Sequence, residues 1–228
     1  MPQVQNPLIV QSDRTVLLEV EHPKYEDARD ALARFAELEK SPEHIHTYRI
    51  SPLSLWNAAA AGLNGETILA SLDKLSKYEI PQNISREIIE FINRYGQIRL
   101  VKRDNKLILE SDEPALIAEV VGLPSVKKFL QDKIDERSVV VGDRFRGHIK
   151  QALIKVGFPV EDLAGYVTGT PLSIELRGLS QKGLPFGLRD YQTDSVRAFH
   201  MNGELRGGNG VIVLPCGAGK TIVAVGAM

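Results

Sequence analysis

The sequence predicts a multi-domain protein of mixed α+β and α/β character: a winged-helix-like N-terminal module, a small mixed α/β domain, and the start of an α/β phosphate-loop domain. Three observations carry this. Residues 51–110 hold three short helical patterns followed by a strand pair, a second short α/β pattern begins at Val139, and VIVLPCGAGKTIVAVGAM sets a Gly-Ala-Gly-Lys-Thr turn between two apolar runs. The 228 residues are enough for several small cores, and 43% hydrophobic with 25% charged residues is an ordinary globular composition.

Residues 7–20 read as two short strands about a Gln-Ser-Asp-Arg turn. Ala28, Leu32, Phe35, Ala36 and Leu38 then recur at roughly helical spacing, which predicts an amphipathic helix over 25–40 ended by Pro42. Ser51 caps a helix with Pro52 at its first position, and Gly62 closes it. Residues 64–77 form a second helix with Ile68, Leu69, Leu72 and Leu75 on one face, and ISREIIEFINRY a third, ending at Gly96. QIRLVK and KLILES alternate around Arg103, Asp104 and Asn105 as a hairpin, and three helices followed by a hairpin are the layout of a winged helix. Residues 114–130 are a helical pair broken at 122–124, and QDKIDERS leads out of it.

The next unit runs through a strand in SVVVGD, a helix over 146–156, a stop at 157–159, a short strand in GYVTG and a strand in SIELRG. Residues 178–187 are a linker by composition. A helix over 190–201, the glycine-rich turn GELRGGNG and the strand VIVLP then lead into the loop. The expected divisions are 1–135, 136–180 and 181–228.

A net charge of −1 gives no global case for nucleic acid, so any basic surface is local. The single cysteine, Cys216, excludes an internal disulfide and a cysteine metal cluster and points to a reducing compartment. There is no basic leader with a long apolar core and no apolar run of membrane-spanning length, so the expected location is cytoplasmic, with no membrane partner. The five histidines show no metal-ligand spacing.

A phosphate loop works because consecutive backbone N–H groups converge on an anion at the start of a helix whose dipole adds to them. Gly217 and Gly219 supply open backbone, Lys220 would reach the β- and γ-phosphates, and the Thr221 hydroxyl would hold Mg²⁺. The pattern G-x-x-x-x-G-K-[ST] asks for glycine where Leu214 stands, so a glycine-rich turn with a solvated lysine is the competing reading. Upstream, GLRDYQTDSV brings Leu188, Arg189, Tyr191 and Gln192 to the start of a helix, and a glutamine amide can donate to and accept from an adenine edge, although taken alone these four residues read more readily as a surface helix. The candidate nucleotide set is Arg189, Gln192, Leu214, Pro215, Cys216, Gly217, Ala218, Gly219, Lys220 and Thr221, with Lys220 and Thr221 as its catalytic members, Cys216 as a small packing residue, and ATP and Mg as cofactors.

Two stretches are locally basic. Arg144, Arg146 and Lys150, near Phe145 and His148, suit phosphate contacts and equally a solvated helix face. Lys102 and Arg103 at the hairpin tip suit a DNA-binding wing, although charges guarding an edge hairpin against aggregation are the weightier reading.

The glutamine and phosphate-loop stretches at this spacing resemble the start of the first RecA-like domain of superfamily-two helicases. The fuller resemblance is to the XPB/Ssl2-type DNA repair helicases, with a glutamine motif L-R-x-Y-Q, a phosphate loop V-I-V-L-P-C-G-A-G-K-[ST] and an N-terminal region similar to HTYRISPLSLWNAAAAGLNGETILASLDKLSKYEIP. It covers nearly the whole chain and makes Leu214 the family's own form of the loop. It implies an ATP-dependent DNA helicase or translocase acting in repair, with a damage-recognition-like domain over 139–178 that senses distorted DNA. DNA in damaged, forked or duplex form is then a partner, together with a nuclease in prokaryotic relatives and transcription and repair subunits in eukaryotic ones. The alternative is a non-catalytic DNA- and protein-binding module. Phosphoryl transfer also needs an acidic Mg²⁺ ligand and usually an arginine from a facing domain. Neither motif lies before Met228, so the expectation is an N-terminal fragment truncated after the phosphate loop, inactive alone, with residues 188–228 loosely held.

Overall fold

The computed structural model describes residues 5–165, 170, 174–201, 211–215 and 217–228. They belong to two compact units, Met1–Ala164 and Gly165–Met228.

In the first unit, β1 (Leu8–Val10) and β2 (Thr15–Glu19) are joined by the expected turn, where Arg14 takes a left-handed φ of 72° and the Asp13 carboxylate accepts the Thr15 N–H at 3.0 Å. α1 (Tyr25–Leu32), β3 (Glu37–Lys40) and β4 (Ile45–Arg49) follow, and the strands form an antiparallel sheet in the order β1-β2-β4-β3. The helix expected over 25–40 therefore stops eight residues into its span. Phe35 turns into the core, only 2% exposed, while Leu38 is 52% exposed and has no helix face to serve. Pairing of Glu37 with Arg49 and Leu38 with Tyr48 overrides the local helical pattern.

α2 (Pro52–Ala60), α3 (Gly65–Leu75) and α4 (Gln82–Arg94) stand where expected. Ser51 and Ser54 cap α2 reciprocally, and Asn64 accepts the Thr67 N–H at 2.8 Å at the start of α3. Ile84, Ile88 and Ile92 repeat every four residues and bury one side of α4 against Ile68, Leu72, Leu55 and the sheet residues Leu8, Val16 and Leu18. This is the first core.

The second core is built on β5 (Ile98–Arg103) and β6 (Lys106–Glu110), joined through Asp104 and Asn105 at φ 48° and 61°, the left-handed pair of a two-residue hairpin turn. α5 (Pro114–Gly122), α6 (Pro124–Lys127), β7 (Leu130–Lys133), β8 (Ser138–Val141), α7 (Arg146–Lys155) and β9 (Val160–Asp162) complete it. The sheet order is β7-β8-β6-β5-β9, antiparallel except for β5 with β9. Leu100, Leu109, Val120, Val141, Ile149 and Leu153 are buried together there.

This sheet corrects three expectations. The hairpin is no free edge, because β8 pairs along β6 and β9 along β5. The division at 135/136 runs through hydrogen-bonded sheet, since β7 before it and β6 both pair with β8 after it. QDKIDERS contributes the exposed edge strand β7 instead of a lead-out.

In the second unit, α8 (Asp190–His200) and α9 (Lys220–Gly226) are the helices among the described residues. Residues 174–177 and the run 211–215 form no strand, contrary to expectation, and Val211 and Val213 are 89% and 86% exposed. A strand exists only through a ladder, and no described segment pairs with this run. The presumed linker is tied: Leu179 bridges Pro185 and the Leu184 carbonyl accepts the Ser180 N–H at 2.8 Å. Most of GYVTG, the residue Ser173, the turn GELRGGNG and Cys216 lie outside the described residues. Among the described residues no helix is long and apolar enough to cross a membrane.

Candidate functional site

α8 begins at Asp190, an acidic residue placed in the first turn where the helix dipole favours it. At the third position Gln192 reaches back, its Oε1 accepting the Arg189 N–H at 3.0 Å. Gln192 is the one buried residue of α8, 5% exposed, and its Nε2 donates to the Ala218 carbonyl at 2.9 Å. The Tyr191 hydroxyl donates to the same carbonyl at 2.9 Å. The glutamine stretch and the phosphate-loop stretch, 26 residues apart at that hydrogen bond, are thus tied through one oxygen.

Within the loop, Gly217 and Gly219 both take φ 79°. A Cβ on Gly219 would stand 2.6 Å from Gln192 Nε2, whereas one on Gly217 would meet nothing within 4 Å. The positive φ favours glycine at both positions, and at 219 a Cβ would also displace the Gln192 amide. Gly219 caps α9, its carbonyl accepting the N–H groups of Ile222 and Val223. Lys220 Nζ donates to the Pro215 carbonyl at 3.0 Å, and Thr221 is exposed on the first turn. α9 packs closely on α8, where a Cβ on Gly226 would stand 3.1 Å from Leu188 Cδ1 and 3.3 Å from Val196 Cγ2. Beside Lys220, Phe199, Ile212, Val223, Ala224, Ala227 and Met228 line an apolar cavity of ≈ 430 Å³. No group of three or more histidine, cysteine, aspartate or glutamate residues suited to a metal exists among the described residues.

The predicted DNA contacts lie elsewhere, in the first unit. Arg146 grips Asp162 with two nitrogens, at 3.0 and 2.8 Å, and Lys150 Nζ reaches the same carboxylate at 2.8 Å. Burial pushes the Asp162 carboxyl up, but the hydrogen bonds and charges of Arg146 and Lys150 outweigh it and hold it below the ordinary carboxylate range. Two of the predicted cations are therefore partly neutralised and joined to β9. Arg103 pairs with Glu110 at 2.7 Å, while Arg144 and Lys102 are exposed with no ion pair among the described residues.

A depressed carboxyl pKa stabilises the fold above the unfolded value and loses that contribution as pH falls through the folded one. Asp162→Asn is expected to lower the melting temperature at neutral pH, because Arg146 and Lys150 lose their shared charge. The variant should also decline less steeply than the parent below about pH 4. Thermal melts across that range check it; parallel acid slopes in the two proteins would contradict it.

Sequence reasoning assigned no role to Tyr191 or Asp162. Tyr191 stood beside Gln192 in the quoted stretch, but nothing local marks its hydroxyl as bound to Ala218. Asp162 is 12 and 16 residues from its partners, a spacing with no local periodicity to find it.

The profile of the family described as helicase conserved C-terminal domain matches residues 8–135. A DNA 3'-5' helicase XPB of Mycobacterium tuberculosis is 48% identical over 223 residues, covering 97% of this chain and 39% of that protein. One of Kineococcus radiotolerans is 46% identical over 223 residues, with 97% and 38% covered. A general transcription and DNA repair factor IIH helicase/translocase subunit XPB of Enterocytozoon bieneusi is 31% identical over 224 residues, with 97% and 36% covered. The chain spans 36–39% of the length of these relatives.

Proposed function

Because the chain belongs to the family described as helicase conserved C-terminal domain and is 46–48% identical to two DNA 3'-5' helicases XPB, we propose that it carries the recognition region and the first nucleotide-gripping elements of an ATP-dependent DNA helicase or translocase acting in DNA repair. The observation that supports this most is the tie between α8 and the loop at the Ala218 carbonyl, which unites a base-reading amide and a phosphate-cradling backbone. The donor set suits a nucleoside triphosphate: open backbone at Gly217 and Gly219, one ammonium at Lys220 and one hydroxyl at Thr221.

In this reading Gln192 and Arg189 face the adenine, backbone N–H groups of the 214–221 stretch receive the phosphates, Lys220 balances charge on the β- and γ-phosphates, and the Thr221 hydroxyl holds Mg²⁺. Bound ATP supplies the energy of hydrolysis that drives motion on DNA. Residues around α7 serve as a damage-recognition-like unit, with Arg144 as its open cation and Arg146 and Lys150 pre-positioned by Asp162. The winged-helix-like reading of residues 51–110, with duplex contact by Lys102 and Arg103 at the β5–β6 turn, belongs to the same proposal. So do protein partners, a nuclease or the subunits of a transcription and repair assembly.

The test is ATP hydrolysis by the full-length protein with and without forked duplex DNA. DNA-stimulated turnover is expected; its absence under conditions where the protein binds DNA would leave the non-catalytic binding module.

A further inference from the structure

We propose that Tyr191 is a positioning residue for the phosphate loop, holding the Ala218 carbonyl so that the following Gly219 N–H is turned toward bound phosphate. The inference rests on the nucleotide reading above and assigns a role to a hydroxyl outside the base- and phosphate-contacting set.

Ala218 and Gly219 are joined by one peptide unit at the start of α9. No peptide bond among the described residues is cis, so this carbonyl and the N–H on its other side point in opposite directions. Whatever grips the oxygen therefore aims the N–H. Two donors grip it, Tyr191 Oη at 2.9 Å and Gln192 Nε2 at 2.9 Å. The unit turns about the Ala218 ψ and Gly219 φ bonds, and at Gly219, held at φ 79°, the absence of a Cβ loosens the second of them. Its orientation is set from outside, by those two donors.

The donors are not equivalent. Gln192 carries the amide that reads the adenine in the proposed function, and an amide that turns to a base releases the carbonyl. Tyr191 has no such second task, and its hydroxyl remains on Ala218 while Gln192 exchanges partners. Tyr191 thus lets one segment read the base without slackening the cradle that holds the phosphates. The 3.4 Å contact between Gln192 Nε2 and Tyr191 Oη keeps the two donors side by side.

The experiment is equilibrium binding by the full-length protein and its Tyr191→Phe variant, with ATP, inorganic tripolyphosphate and adenosine as probes. Phenylalanine keeps the ring and deletes only the hydroxyl, and the melting temperature serves as the folding control. The variant is expected to lose about three- to tenfold in affinity for ATP and for tripolyphosphate, by the same factor, with adenosine binding and melting temperature unchanged. Wild-type affinity for tripolyphosphate in the variant, or a loss confined to adenosine, overturns the positioning role while the nucleotide reading stands. A parent protein that binds neither ATP nor tripolyphosphate overturns the nucleotide reading, and this role with it.

Discussion

In the full-length protein, Lys220→Ala is expected to lower DNA-stimulated ATP hydrolysis by at least about a hundredfold while leaving the melting temperature unchanged. The lysine is exposed, and the hydrogen bond of its ammonium is to the Pro215 carbonyl at 3.0 Å, a surface contact worth little to the fold. It is also the only cation between Leu214 and Thr221, so without it the charge growing on the transferred phosphate meets backbone dipoles alone. Lys220→Arg separates charge from shape: it keeps the charge as a planar fork on a longer reach, and activity between the two is expected. Hydrolysis by the alanine variant within tenfold of the parent would reject the motor reading and leave the bland alternative, a turn with a solvated lysine.

A chain ending at residue 135 is expected to lose its second core, whereas one ending at residue 164 keeps both. The shorter chain lacks β8, α7 and β9, and with them Val139, Val141, Ile149, Leu153 and Val160, which are buried beside Leu100 and Leu109. Burial of such side chains stabilises by about 1.5–3 kcal/mol each, so their combined loss rivals the 5–15 kcal/mol that typically holds a whole domain. The loss also bares one edge of β6 and one of β5, an invitation to association. The first core, drawn from residues 8–92, should survive. Circular dichroism melts and size-exclusion chromatography distinguish the cases: partial, aggregating unfolding for 1–135 against cooperative, monomeric unfolding for 1–164. Equal behaviour would contradict the continuous sheet.

What the sequence made legible was local. The cap at Ser51, the helices over 51–62, 64–77 and 84–95 and the turn at Asp104–Asn105 are decided by near neighbours, and each stands close to where the pattern placed it. The failures came where distant pairing decided. Glu37–Lys40 looks helical and becomes a strand because β4 offers a ladder, and QDKIDERS has no apolar alternation yet completes an edge. The division at 135 rested on reading QDKIDERS as a lead-out, a local view that cannot register that β6 finds its partner some thirty residues onward. At the candidate site the motif named the loop and Gln192, but the single oxygen that joins them, and Tyr191 on it, emerge only when the two segments meet.

Hydrogen exchange at the backbone amides of residues 217–221 in the full-length protein, with and without ATP and Mg²⁺, tests phosphate binding by the loop most directly. Phosphates received by those amides would slow their exchange, and the effect should vanish in Lys220→Ala at equal ATP. Unchanged exchange there at saturating ATP would contradict the account.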